Sequence, residues 1–185
     1  MTRLPFGALL SLIPLAVAPS VLGDDGPRLR PSVAFGGAGL FPSRDGQRRA
    51  DPKGALDIDA SLELGPVFLA GTLLQGLGET TVPDHSFLGV KLGYVFGDGP
   101  FAPYLSAGIG HLSQTALFNF DEGTTGSASG LGFELEAGAV LFRRAELFRI
   151  WIYALVLLPT FEVRSPFGPE AAHINALGFG LRLGL

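Results

Sequence analysis

The chain has no cysteine in its 185 residues, so neither a disulfide framework nor a cysteine-based metal centre can hold it together. Charge is scarce as well, at 16% of residues against about 25% in ordinary soluble domains. Thirteen basic residues face 17 acidic ones, for a net charge of -4. That balance excludes a nucleic-acid partner, which needs a basic stripe. The three histidines are scattered and lack the His-Glu-x-x-His spacing of a zinc site. No glycine-rich loop precedes a helix, so the 27 glycines are not a phosphate cradle. They also lack the three-residue period of collagen. Beyond residue 23 no uncharged apolar run approaches the ~20 residues of a spanning helix; the best, 150–159, is about half that length. Yet 47% of the residues are hydrophobic and the mean hydropathy is +0.38. The apolar surface must therefore be distributed in some other way.

The N-terminus reads as a processing segment. Arg3 supplies a short positive region, and 4–19 is apolar, with Leu9, Leu10, Leu12, Ile13, Leu15 and Val17. Val21-Leu22-Gly23 precedes a cut before Asp24. Pro5 and Pro14 interrupt the run, which is too short for an anchor. This pattern predicts a signal peptide over 1–23 and one domain over 24–185. Export without a helical anchor leaves periplasm, outer membrane or secretion.

The apolar residues of that domain alternate. In 55–64 the even positions are Leu56, Ile58, Ala60, Leu62 and Leu64, and the odd ones include Asp57, Asp59, Ser61 and Glu63. Side chains of an extended strand point alternately to opposite faces, so this strand is greasy on one side and carboxylated on the other. Eight such stretches are predicted, at 31–40, 54–64, 67–77, 85–96, 101–112, 130–142, 147–160 and 172–185. The connections between them run long, short, long, short, long, short, long, with the longest loop at 113–129 and tight turns at Gly65-Pro66 and 97–100. That is an up-and-down meander with two unlike rims. The fold class is all-β, an eight-stranded antiparallel barrel, with strands long enough for the ~9–11 tilted residues that cross a bilayer.

Alternation alone fits a soluble barrel with an apolar interior or a membrane barrel with an apolar exterior. Residue size separates the two. The polar faces are built from glycine, serine and charge, which fit the narrow bore of eight strands. The apolar faces carry leucine, isoleucine and phenylalanine. Exposed glycine would weaken strands for no gain in water. Aromatic residues also fall toward two rims: Tyr94, Phe96, Phe101, Phe142 and Phe148 near the short turns, and Phe41, Phe87, Phe118, Phe120, Phe161 and Phe167 near the long loops. The facing of 67–77 is open, because Thr72 and Gln75 lie on opposite sides.

Pro103-Tyr104-Leu105-Ser106-Ala107-Gly108-Ile109-Gly110 and the terminal Leu177-Gly178-Phe179-Gly180-Leu181-Arg182-Leu183-Gly184-Leu185 resemble the small eight-stranded bacterial outer membrane barrels, the group that contains OmpX and the OmpA transmembrane domain. The resemblance covers 31–185. It implies an outer membrane location, insertion by the barrel assembly machinery, contact with outer membrane lipids and lipopolysaccharide, a monomeric state and no cofactor. That family ends in an aromatic residue; Leu185 departs from the pattern.

Three groups of residues are candidates for chemistry. Asp57, Asp59, Glu63, Lys91, Glu134, Glu136, Arg149 and Arg182 are assigned to the lumen, where charges must pair or reach water. Strand order brings Arg182 toward Glu63, and Lys91 toward Glu136. The set reads as a structural ion-pair plug, with a narrow ion path as the alternative. His111 and Ser113, with Asp121 or Glu122 beyond them, resemble the His-x-Ser of outer membrane lipid A deacylases, although Gln114 follows where that family has asparagine. His85 and His173 fall at strand starts. Arg44, Arg48, Arg49 and Lys53 are candidates for lipopolysaccharide phosphate contact, since arginine binds phosphate bidentately. The expected function is an integral outer membrane barrel with a structural or surface-interaction role carried by its long loops. The alternatives are a lipid A-modifying hydrolase and a secreted soluble barrel that binds an apolar ligand.

Overall fold

The computed structural model describes residues 29–44, 47–48, 53–77, 84–119, 124–143, 145, 148–166 and 169–185. The expected signal peptide lies outside them. Eight long strands form the barrel: β1 Leu29–Arg44, β2 Lys53–Leu64, β3 Val67–Leu77, β4 His85–Val95, β5 Phe101–Asn119, β6 Thr124–Leu141, β7 Arg149–Pro159 and β8 Ile174–Gly184. Each pairs antiparallel with its chain neighbour, and β8 closes on β1 from Ala34↔Gly184 to Arg44↔Ile174. Closure leaves no edge along the wall, as a hydrocarbon solvent requires. The β2–β3 hairpin turns in two residues: Gly65 takes φ 62°, open to glycine without strain, and Pro66 supplies the fixed negative φ that follows.

Burial alternates as the sequence pattern dictates, and its sense is inverted relative to a soluble protein. Asp57, Asp59 and Glu63 are buried in the lumen while Leu56, Leu62 and Leu64 face out. Leu92 is 59% exposed and Phe101 61%, against 1% for Lys91 and 2% for Glu134. The soluble alternative, which needs an apolar interior and a polar exterior, is overturned by this orientation. On β3 the inward residues are Phe68, Ala70, Thr72 and Leu74, so Gln75 faces outward.

Three expectations need correction. The loop assigned to 113–129 is mostly strand. β5 and β6 reach 19 and 18 residues, and their pairing continues to Leu117↔Thr125 before a register shift at Asn119↔Thr124. A two-stranded ribbon satisfies its own backbone groups without a core, so its serine, threonine and glycine content concealed it. The loop at 161–171 contains a short pair, Val163–Arg164 with Ala171–Ala172, whose Val163 and Ala172 pack with Ile174, Phe161 and Ala128. Phe87, assigned to a rim, is fully buried in the lumen, as its parity with His85 and Lys91 on β4 requires. Phe120 and Phe167 lie outside the described residues.

Candidate functional site

The lumen holds a band of charge at mid-height. Lys91, from β4, sends its Nζ to Asp59 at 2.7 Å, Glu136 at 3.1 Å and Glu134 at 3.4 Å. Arg182, from β8, donates from Nε to Asp57 at 2.7 Å and from its two terminal nitrogens to Asp59 and Glu136. Two tyrosines complete the set: Tyr104 donates to Glu136 and Tyr153 to Asp57, with the Arg182 guanidinium 3.9 Å from the Tyr153 ring centre. Tyr153 reaches across because β8 opposes it with Gly180; a Cβ there would strike the Tyr153 ring. Four carboxylates thus share two cations in a buried interior, where the pairing must offset a large desolvation cost.

Nearer the short-turn rim, Arg149 pairs with Glu63 at 2.5 Å. Arg182 and Glu63 are therefore not partners. The ladder opposes Arg182 to Trp151 and, through β1, to Asp57, which sets Arg182 higher in the bore than Glu63. Around this level Phe68, Tyr104 and Trp151 meet edge-on, with ring centroids 4.9–6.0 Å apart. Arg143 ties the short turns together: it donates to the Gly97 and Gly65 carbonyls and pairs with Asp98 at 3.0 Å.

Toward the long-loop rim the lumen turns apolar. Leu40, Leu74, Phe87, Leu112, Leu155 and Leu157 are all buried to within 2%. On the short-turn side of the charged band, a cavity of about 10 Å³, lined in part by Ser32, Asp59, Ser61 and Trp151, has room for one water-sized body. Among the described residues, these side chains fill much of the bore on both sides of the charged band.

At the mouth, Gln114 donates to the Ile174 carbonyl at 2.6 Å, and Asp84 accepts the His85 N–H at 2.9 Å. Burial pushes the Asp84 carboxyl above its usual range, against the pull of the His85 N–H and of Lys53. Lys53 is buried here, facing the lumen. Arg44 and Arg48 lie on the paired segments Ser43↔Arg48 and Arg44↔Gln47, and Arg49 is outside the described residues. His111 and Ser113 are on the outward face of β5, where the ladder sets His111 beside Leu88 and Leu131. Asp121 and Glu122 are outside the described residues. His173 is exposed and 3.4 Å from Glu162; His85 is buried. Among the described residues no cluster of three or more potential metal ligands occurs.

Sequence reasoning placed Trp151, Tyr153, Leu155 and Leu157 on the lumen face of the seventh strand, and missed Arg143 and the carboxylate partners of Tyr104 and Tyr153. Parity carried the signal for those four and none for Arg143.

No protein-family model matches the sequence, and no curated protein matches it closely. Solved structures do resemble the fold. Neisserial surface protein A superposes with a TM-score of 0.64 at 11% identity, over 84% of this chain and 96% of that one. Ail, the attachment invasion locus protein of Yersinia pestis, gives 0.52 at 17% identity, over 84% and 97%. The N-terminal β-barrel domain of Pseudomonas aeruginosa OprF gives 0.50 at 16%, over 83% and 97%. With leucines outward, charges inward and the wall closed, the chain is a membrane β-barrel with the fold of the small eight-stranded outer membrane proteins.

Proposed function

We propose that the protein is an integral outer membrane barrel whose wall and filled lumen are structural and whose activity lies in surface interaction on the long-loop side. It enters the membrane through the barrel assembly machinery and stands there as a monomer among outer membrane lipids and lipopolysaccharide. The observation that carries this reading is the β5–β6 ribbon. β5 leaves β4 at His85↔Gln114, and β6 leaves β7 at Gly132↔Pro159, yet the two remain paired to Asn119↔Thr124. Above Thr115, whose N–H still donates to the Asp84 carbonyl, neither strand has a further ladder partner among the described residues, and such an edge is a template on which an extended segment of another protein can add.

An epitope inserted between residues 119 and 124 tests the placement. Antibody should label intact cells. Labelling only after the envelope is broken would reverse the orientation and end the reading.

A second reading keeps the hydrolase, because His111 and Ser113 share the outward face of β5. Its test is Ser113→Ala with mass spectrometry of lipid A; an unchanged lipid profile eliminates it.

A further inference from the structure

One ladder row crosses four strands with an uncharged hydrogen-bonding side chain at every step. Gln75 on β3 opposes Ser86 on β4, Ser86 opposes Ser113 on β5, and Ser113 opposes Ser129 on β6. All four sit at outward parity: the residues flanking them on β3, β4 and β5 are Leu74 and Gly76, His85 and Phe87, and Leu112 and Gln114, which are buried inside. The row one step below is Leu73, Leu88, His111 and Leu131, three leucines and the histidine of the unassigned His-x-Ser pair. The row one step above continues on the ribbon as Thr115↔Ser127.

We infer that this strip is a docking surface for the sugar headgroup of a glycolipid in the surrounding leaflet, a proposal that rests on the outer membrane reading above. Three features select that occupant. The strip is continuous with the apolar belt, so a ligand that meets it has acyl chains to lay on Leu73, Leu88 and Leu131. It contains no charged residue, so it matches neutral hydroxyl groups and offers a phosphate no ion pair. It also climbs: barrel strands tilt by about 35–45°, so a row that follows the hydrogen bonds rises as it crosses the sheet, from the belt margin at Gln75 to the base of the ribbon at Ser129. Neighbouring strands set its polar groups about 4.8 Å apart, close enough for one headgroup to bond several at once. The corresponding margin where β8 meets β1 is different. There Phe41 opposes Leu177, and the polar step above is the single pair Ser43↔Asn175. His111 and Ser113 take their place in the strip as binding groups, with no catalytic step required of them.

The test uses the full chain in detergent with native mass spectrometry, and two competing lipids: diglucosyl diacylglycerol as the neutral sugar probe and phosphatidylglycerol as the charged lipid without sugar. The sugar lipid should be retained preferentially. Replacing Gln75, Ser86, Ser113 and Ser129 by alanine together should weaken that retention about tenfold, the equivalent of one or two net hydrogen bonds. Ser43→Ala with Asn175→Ala should leave it unchanged. Ser113→Ala and Ser129→Ala alone provide the same comparison with a smaller loss if the fourfold variant does not fold. Equal retention of both lipids, or the same sugar retention in wild type and the strip variants, overturns the proposal. Heat-modifiable migration is recorded first, because a wild type that shows no folded barrel in detergent refutes the membrane reading itself and not the strip.

Discussion

From Glu63 to Glu134 the lumen is ionic; above that band a hydrocarbon layer that includes Leu155 and Leu157 separates it from the polar mouth of Lys53, His85 and Gln114. Both segments face the same bore, both are buried, and they are sealed in different ways. The ionic band is held by geometry, with each cation reaching three carboxylates on other strands. The leucine segment is held by volume. The contrast teaches that alternation in a small membrane barrel specifies which residues go inside, and not what kind of interior they make. It also separates two kinds of seal: packed side chains above, and below them charge pairs that join β2, β4, β6 and β8 across the bore.

Removing one partner from the band should have the largest effect. Arg182→Leu leaves Asp57, Asp59 and Glu136 without their shared cation and should cost about 3–5 kcal/mol, measured by urea unfolding from lipid vesicles. A loss below about 1 kcal/mol would show that the band is hydrated and that the two segments do not differ. Leu157→Ala should cost about 2–4 kcal/mol through the cavity it opens. The cost of the substitution should be insensitive to salt, and a strong salt dependence would place charge within the leucine layer itself.

How far the sequence could be read follows the same division. Parity put Asp57, Asp59 and Glu63 on one face, because a period of two leaves only two choices per strand, and residue size turned that face inward. Parity could not give the partner of Arg182, which depends on how far β8 is staggered against its neighbours around the closed ring. Phe87 was legible as inward and still unexpected there, since size was read as a mark of the outer face. The β5–β6 ribbon was hidden for another reason: it buries little beyond Ala128, and a strand pair built from serine, threonine, alanine and glycine shows no apolar alternation. Gln75, Ser86, Ser113 and Ser129 are ordinary in sequence and become a strip only once the register is known.

Smaller effects sharpen the comparison. Tyr153→Phe removes one hydrogen bond to the Asp57 carboxylate and should cost about 2 kcal/mol. Combined with Arg182→Leu it should cost less than the sum, since both act on Asp57; full additivity would separate Tyr153 from the band. Asp84, at the mouth, provides the smallest effect. Its carboxyl is raised above the ordinary 3.8 by burial, so the folded state binds its proton more tightly than the unfolded chain. The associated stability is present at low pH and is lost as pH rises through the carboxylate range. Asp84→Asn should flatten that part of the pH profile, and an unchanged profile would assign the slope to another group.

The orientation of the wall is open to one direct measurement, because the chain has a single tryptophan. Trp151 is 5% exposed and faces the lumen. In vesicles of brominated lipid its fluorescence should be almost unquenched, whereas a Trp151→Phe, Leu92→Trp variant should be strongly quenched. Strong quenching of Trp151 together with an unquenched tryptophan at 92 would turn the barrel inside out and contradict the account.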